Sequence, residues 1–199
     1  MTELEKCMAG EWYDCHDKVF LEFKNKTHRL LMKYNSLPYD HKEEKRQVLQ
    51  EMLGSIGAKV SIGHSFICDY GRNIHIGNNV TVNTGCTFVD CNRITIGNNV
   101  LIGCGAKVLG PFRVGDNARI ASNAVVLSEV PEDATAVGIP AQIVRIAGNN
   151  RRRLLDWRRR HYPARHYHRK RKRHRSRQRG HQKYSSRQSG GGEPLQGYS

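Results

Sequence analysis

The side chains best suited to chemistry in this 199-residue chain are thiols, imidazoles and a dense run of guanidinium groups. Six cysteines (Cys7, Cys15, Cys68, Cys86, Cys91, Cys104) form no Cys-x-x-Cys pair and no zinc-type spacing. They read as reduced thiols acting as small core hydrophobes, and no metal site is expected from them. His64 and His75 are the imidazoles of the central region, and no histidine lies between His75 and His161. A neutral imidazole within hydrogen-bond reach can take the proton of an attacking hydroxyl. His75, however, also fits an ordinary corner of the repeat described below, and His64 is the weaker candidate of the two. Farther on, Arg151-Arg152-Arg153, Arg158-Arg159-Arg160 and Arg169-Lys170-Arg171-Lys172-Arg173 are interleaved with His161, Tyr162, His166, Tyr167 and His168. Such a segment can neutralise phosphates and stack on bases, serve as a nuclear address, or be a solvated basic tail without a partner. Non-specific, salt-sensitive binding of nucleic acid through residues 151–187 requires only its charge.

Charge is not spread over the chain. The total is 33 Lys+Arg against 18 Asp+Glu, a net of +15. Residues 1–148 hold 16 basic and 16 acidic side chains; residues 149–199 hold 17 basic ones, with Asp156 and Glu193 the only acids. The body is neutral, which excludes a uniformly basic DNA-binding fold. No stretch approaches the ~18 apolar residues of a membrane span, and the N-terminus lacks the apolar region of a secretory signal. A cytoplasmic location with no membrane partner is the resulting expectation.

The elements that must position any site fall into four segments. Residues 1–53 are expected to be helical: Thr2 with Glu5 fits a capping box, and Asp40 with Glu43 is its acidic counterpart. Asn35-Ser36-Leu37-Pro38-Tyr39 breaks the helical run, Val48, Leu49, Met52 and Leu53 form one apolar stripe, and Gly54 ends it. Residues 54–130 carry a six-residue repeat. Apolar side chains fall at Ile56, Ile62, Cys68 and Ile74, then at Ile76, Val82, Phe88 and Ile94, then from Ile96 through Ile102, Val108, Val114 and Ile120 to Val126. A period of six with small residues between suits neither a helix nor a flat strand. It predicts a triangular prism of about four turns, a mainly β parallel solenoid, with Gly and Asn supplying positive φ at the corners. Residues 131–148 are expected to close the prism. Residues 149–199 have a composition that cannot bury a core and are expected to be a disordered Arg-rich tail.

The hexapeptide prism resembles the left-handed β-helix acyltransferases. Ala9-Gly10-Glu11, Tyr13-Asp14, Asp17, Tyr34-Asn35, Tyr70-Gly71, Asn73-Ile74-His75-Ile76-Gly77 and Val89-Asp90 are similar to the maltose/galactoside O-acetyltransferases, over residues 1–102. Gly105 to Gly110 and Val137 to Ala141 resemble the serine acetyltransferase branch instead, over residues 103–147. The resemblance implies transfer of an acetyl group from acetyl-CoA to a hydroxyl of a sugar-like small acceptor. It also implies a homotrimer with sites in the clefts between prisms, and no metal. It assigns substrate binding to Asp14, Asp69, Asn83 and Asp90, and the CoA path to Cys104, Ser122 and Arg145. Each of these residue types is also favoured at caps, corners and turns.

The chain departs from that family at the catalytic base. Members carry a histidine in a loop after a rung like Ile94-Thr95-Ile96-Gly97, whereas this chain runs directly into Cys104-Gly105-Ala106-Lys107, and the corresponding position falls near Arg113. One loop and about two rungs are missing, with the hexad phase kept. Two functions are therefore expected as alternatives: an O-acetyltransferase, or a non-catalytic trimeric β-helix scaffold with polyanion binding through the tail.

Overall fold

The structure is a computed structural model that describes residues 1–146, the side chains of Arg145 and Ile146 excepted. The basic tail, and the disorder expected of it, lie outside the described residues. Among the described residues no helix is long and apolar enough to cross a membrane.

Three helices precede the prism. Helix α1 (Glu3–Ala9) starts at a reciprocal cap: Glu5 N–H donates to Thr2 Oγ1 at 3.2 Å and Thr2 N–H to Glu5 Oε2 at 2.7 Å. Helix α2 (Lys18–Ser36) starts at Asp17, whose Oδ1 accepts from Val19 N–H at 3.0 Å. Helix α3 (Lys42–Met52) corrects the sequence expectation at its start. Asp40 does not cap it, because a turn through Pro38 (His41 N–H to Pro38 O, 3.3 Å) leaves Asp40 one residue outside. His41 takes the cap position without a side-chain cap bond, its Nδ1 lying 2.9 Å from Glu44 Oε1.

Four turns of three short strands follow. The first is β1 (Ser55–Ile56), β2 (Ser61–Ile62) and β3 (Ile67–Cys68); the second β4 (Ile74–Ile76), β5 (Thr81–Val82) and β6 (Thr87–Val89). The third is β7 (Ile94–Ile96), β8 (Leu101–Ile102) and β9 (Lys107–Leu109); the fourth β10 (Phe112–Val114), β11 (Arg119–Ile120) and β12 (Val125–Val126). Like strands stack in parallel into three sheets, β1-β4-β7-β10, β2-β5-β8-β11 and β3-β6-β9-β12. Strands β13 (Ala134–Val137) and β14 (Gln142–Ile146) extend the second sheet, and the antiparallel β13–β14 pair ends the parallel stacking.

Register places the repeat's apolar residues in inward columns. Ile56, Ile76, Ile96 and Val114 stack in the first sheet, and Ile62, Val82, Ile102 and Ile120 in the second. Eleven of the thirteen apolar positions from Ile62 to Val126 on the six-residue grid are no more than 3% exposed, so the columns form one continuous core. Burying each such side chain is worth about 1.5–3 kcal/mol. The two-residue slips sit between the third and first sheets. Asn78 therefore meets Asn98 20 residues on, whereas Asn98 meets Asp116 after 18. Positive φ recurs at the other corners, through Asn79, Asn99 and Asn117 on one and Gly85, Gly105 and Asn123 on the next.

The first turn has no turn below it, which would leave backbone carbonyls bare. Val82 O and Cys86 O accept from Gly63 and Ile67 of the turn beneath. Their first-turn counterparts, Ile62 O and Phe66 O, accept instead from Tyr34 Oη and Asn35 Nδ2 of α2. Thr27 Oγ1 reaches Tyr70 O at 2.7 Å and Arg46 Nη1 reaches Gly57 O at 3.2 Å. The helices thus replace a missing turn.

Candidate functional site

Two corners of the prism carry the side chains singled out from sequence. Where the second sheet bends into the third, Gly63-His64-Ser65, Asn83-Thr84-Gly85, Gly103-Cys104-Gly105 and Ala121-Ser122-Asn123 lie one above another. The amides of Gly85, Gly105 and Asn123 donate to His64 O, Thr84 O and Cys104 O at 2.9, 2.9 and 2.8 Å. Stacking is close: a Cβ on Gly103 would lie 2.4 Å from Ser122 N. Asn83, Cys104 and Ser122 therefore share one edge in three consecutive turns. Cys104 and Ser122 are exposed, and half-buried Asn83 donates from Nδ2 to Ile102 O at 2.8 Å. This edge offers small side chains and a regular backbone along which a slim, extended molecule can lie, and its imidazole, His64, lies one turn below Asn83-Thr84-Gly85.

The corner between the third and first sheets carries Asp69 and Asp90. Asp90 is fully buried, and its Oδ1 accepts from the amides of Asp69 and Tyr70, both at 2.9 Å. Its Oδ2 has no hydrogen-bond partner among the described residues. Burial raises its carboxyl to about 6; the amides oppose that shift, while the nearby Asp69 charge adds to it. Asp90 holds this corner together rather than facing solvent. Half-buried Asp69 accepts from Cys91 Sγ at 3.6 Å. The loop bearing Asp14 is anchored here too. Cys7 Sγ donates to Cys91 O at 3.3 Å, Asn92 Nδ2 to Cys7 O at 3.1 Å, and the Tyr13 ring packs 4.9 Å from Phe20. Asp14 itself is exposed, its Oδ1 accepting from His16 N–H at 2.9 Å.

Both central histidines are engaged. His75 lies in the middle of β4 rather than at a corner, on the sheet opposite the Asn83 edge, with Nδ1 3.0 Å from Ser55 Oγ. Burial, and secondly Arg93, lower its pKa. Arg113 stands in the same outward column two turns on, donating to Asp116 Oδ1 at 2.8 Å. His64 Nε2 is 3.2 Å from Lys45 Nζ. Arg145 lies in β14, opposite Thr135, and its side chain is outside the described residues.

One cluster escaped sequence reasoning. Lys45 is buried in α3 beneath Tyr34 and Tyr39, beside a cavity of about 660 Å³ against the first turn. The signal was present, since Lys45 precedes Val48 by three and Leu49 by four and so shares their buried stripe.

Known proteins agree with this architecture. The maltose acetyltransferase hexapeptide capping motif matches residues 6–57, and the bacterial transferase hexapeptide (six repeats) matches residues 93–128. The chain is 30% identical, over 182 residues, to a Saccharomyces cerevisiae protein named as a candidate acetyltransferase, covering 73% of this chain and 93% of that one. It is 38% identical over 109 residues to the serine acetyltransferase of Mycobacterium tuberculosis, covering 52% of this chain and 48% of that one. A hexapeptide-repeat acetyltransferase of Vibrio cholerae O1 biovar eltor, solved in complex with acetyl-coenzyme A, matches with a TM-score of 0.59 at 25% identity, over 75% of this chain and 100% of that one. Helical cap, six-residue columns and relatives converge: the chain belongs to the hexapeptide-repeat, left-handed β-helix acetyltransferases.

Proposed function

We propose that this chain is a cytoplasmic, homotrimeric O-acetyltransferase that moves an acetyl group from acetyl-CoA to a hydroxyl of a sugar-like acceptor. The observation that carries this reading is the open edge formed by Asn83, Cys104 and Ser122 in consecutive turns of a family prism. The pantetheine arm lies along the backbone at Cys104 and Ser122, with Arg145 toward the phosphates. Asn83, Asp14 and Asp69 orient the acceptor, and Asp90 shapes the wall behind Asp69. In the reaction the acceptor oxygen attacks the thioester carbonyl and loses its proton, the carbon–sulfur bond breaks, and the CoA sulfur leaves as the thiol. A positioned base contributes about 10²–10⁴-fold to such a step, so turnover without the family histidine is slow. Through residues 151–187 the same chain binds nucleic acid without sequence preference.

A second reading, a trimeric scaffold that binds CoA without turnover, is favoured by the engagement of His64 with Lys45 and His75 with Ser55. Release of free CoA from acetyl-CoA, measured over a panel of sugars and serine, separates the two. Turnover above the no-enzyme rate that falls in Asn83→Ala supports transfer. CoA binding with no turnover for any acceptor establishes the scaffold.

A further inference from the structure

We propose that the cavity between α3 and the first turn binds a small organic phosphate monoester. Lys45 carries the argument. It is 8% exposed, yet no carboxylate among the described residues lies within salt-bridge distance of it. Among the described residues the one hydrogen-bond partner of its ammonium is His64 Nε2, at 3.2 Å. His64 Nδ1 faces the Asn35 carbonyl at 3.4 Å, which fixes the neutral tautomer with its proton on Nδ1 and leaves Nε2 as acceptor. The ammonium therefore keeps donors in hand. It sits 5.3 Å from the Tyr34 ring centre and 5.9 Å from that of Tyr39. Aromatic faces soften the burial of a cation but do not neutralise it. A residue needed only to pack this stripe would be apolar.

The surroundings define the ligand. The cavity, about 660 Å³, is lined also by Lys42, Arg46 and Lys59, against Glu43 as its one carboxylate. Four cations facing one acid suit a doubly charged head better than a singly charged one. Arg46 is held by its bond to Gly57 O, so its guanidinium is already placed rather than free. The remaining wall is apolar, through Ile56 and Val60, with the Tyr39 ring 76% exposed and available for stacking. Inorganic phosphate fills only the charged half, whereas an ester with an aromatic or apolar body fills both.

The test is calorimetric titration of the full chain with phenyl phosphate at about 0.3 M salt, where exposed charges are screened. The expected result is one saturable site, with inorganic phosphate and phenol each binding more weakly. Lys45→Met keeps the packed stem but removes the charge, and weakens binding by about tenfold or more. Lys59→Gln changes an exposed residue, so folding is not at issue, and weakens it by roughly threefold. Gln in place of Arg151, Arg152 and Arg153 changes nothing. Affinity unchanged in Lys45→Met, inorganic phosphate binding as tightly as the ester, no saturable site, or a site lost with those three arginines would each overturn the proposal.

Discussion

At Asp90 two amides hold one carboxylate oxygen, and the other has no partner among the described residues, so its protonation is tied to the fold. A carboxyl raised to about 6 binds a proton in the folded protein that the unfolded chain has already released above about pH 4. Stability from this group is thus greatest in acid and declines as pH rises from about 4 to 6, by up to about 3 kcal/mol. Asp90→Asn removes the titration while keeping the accepting oxygen. Urea unfolding across that interval should show the wild type losing ground to the variant as pH rises; parallel curves would mean that Asp90 titrates normally. His75 poses the opposite case. Its pKa is lowered, so at neutral pH it is an uncharged ring, as a base must be. Yet it stands mid-strand on the sheet opposite the Asn83 edge, bonded to Ser55. His75→Gln should leave CoA-release turnover unchanged, and a loss would make His75 the missing base. The sequence pointed to both residues by type. It could not tell a buried strut from a solvent-facing ligand, because Asp at a corner satisfies either role.

Among the elements, the strands were legible and the helical cap only partly so. A six-residue period is imposed by inward columns that repeat in every turn, and each residue from Ile62 to Val126 reports the same constraint. The cap is built from single contacts. Asn35 read as the start of a helix break, but α2 runs on to Ser36, and the tips of Tyr34 and Asn35 serve Ile62 O and Phe66 O, a match of helix to edge that no local pattern encodes. The Asp40 cap failed for a related reason: its motif is local, and the Pro38 turn displaced it by one residue. Tyr34→Phe tests the edge directly. It removes one donor from a buried carbonyl and should cost about 1–3 kcal/mol in a denaturation experiment. Tyr39→Phe, exposed and making no such bond, should cost almost nothing. Gly103→Ala tests the opposite corner. Its Cβ would meet Ser122 N at 2.4 Å, so two turns must part where Cys104 and Ser122 stack. Overpacking of that kind costs about 1–3 kcal/mol. CoA affinity should fall with it, and a variant that loses stability but binds CoA normally would move the CoA path off this edge.

For the molecule as a whole, charge distribution decides how its binding must be measured. Residues 1–148 balance 16 basic against 16 acidic side chains, while residues 149–199 carry 17 basic ones and two acids. CoA and nucleic acid are both polyanions, so either can be drawn to the basic segment without touching the prism. The two contributions differ in salt dependence. A segment neutralising roughly six to ten phosphates loses on the order of 10³–10⁵ in affinity between 50 and 200 mM salt. A ligand seated along the Asn83–Ser122 edge, held by backbone and close packing, loses far less. Removing residues 149–199 should therefore abolish binding of a labelled DNA duplex at low salt. CoA affinity at high salt should stay as it was, because the groups proposed to line its path, up to Arg145, remain. Duplex binding that survives the truncation would place a second polyanion surface on the neutral body, and the cations around Lys45 would be its first candidates. CoA binding that disappears with the segment would instead show that the prism alone does not hold its cofactor.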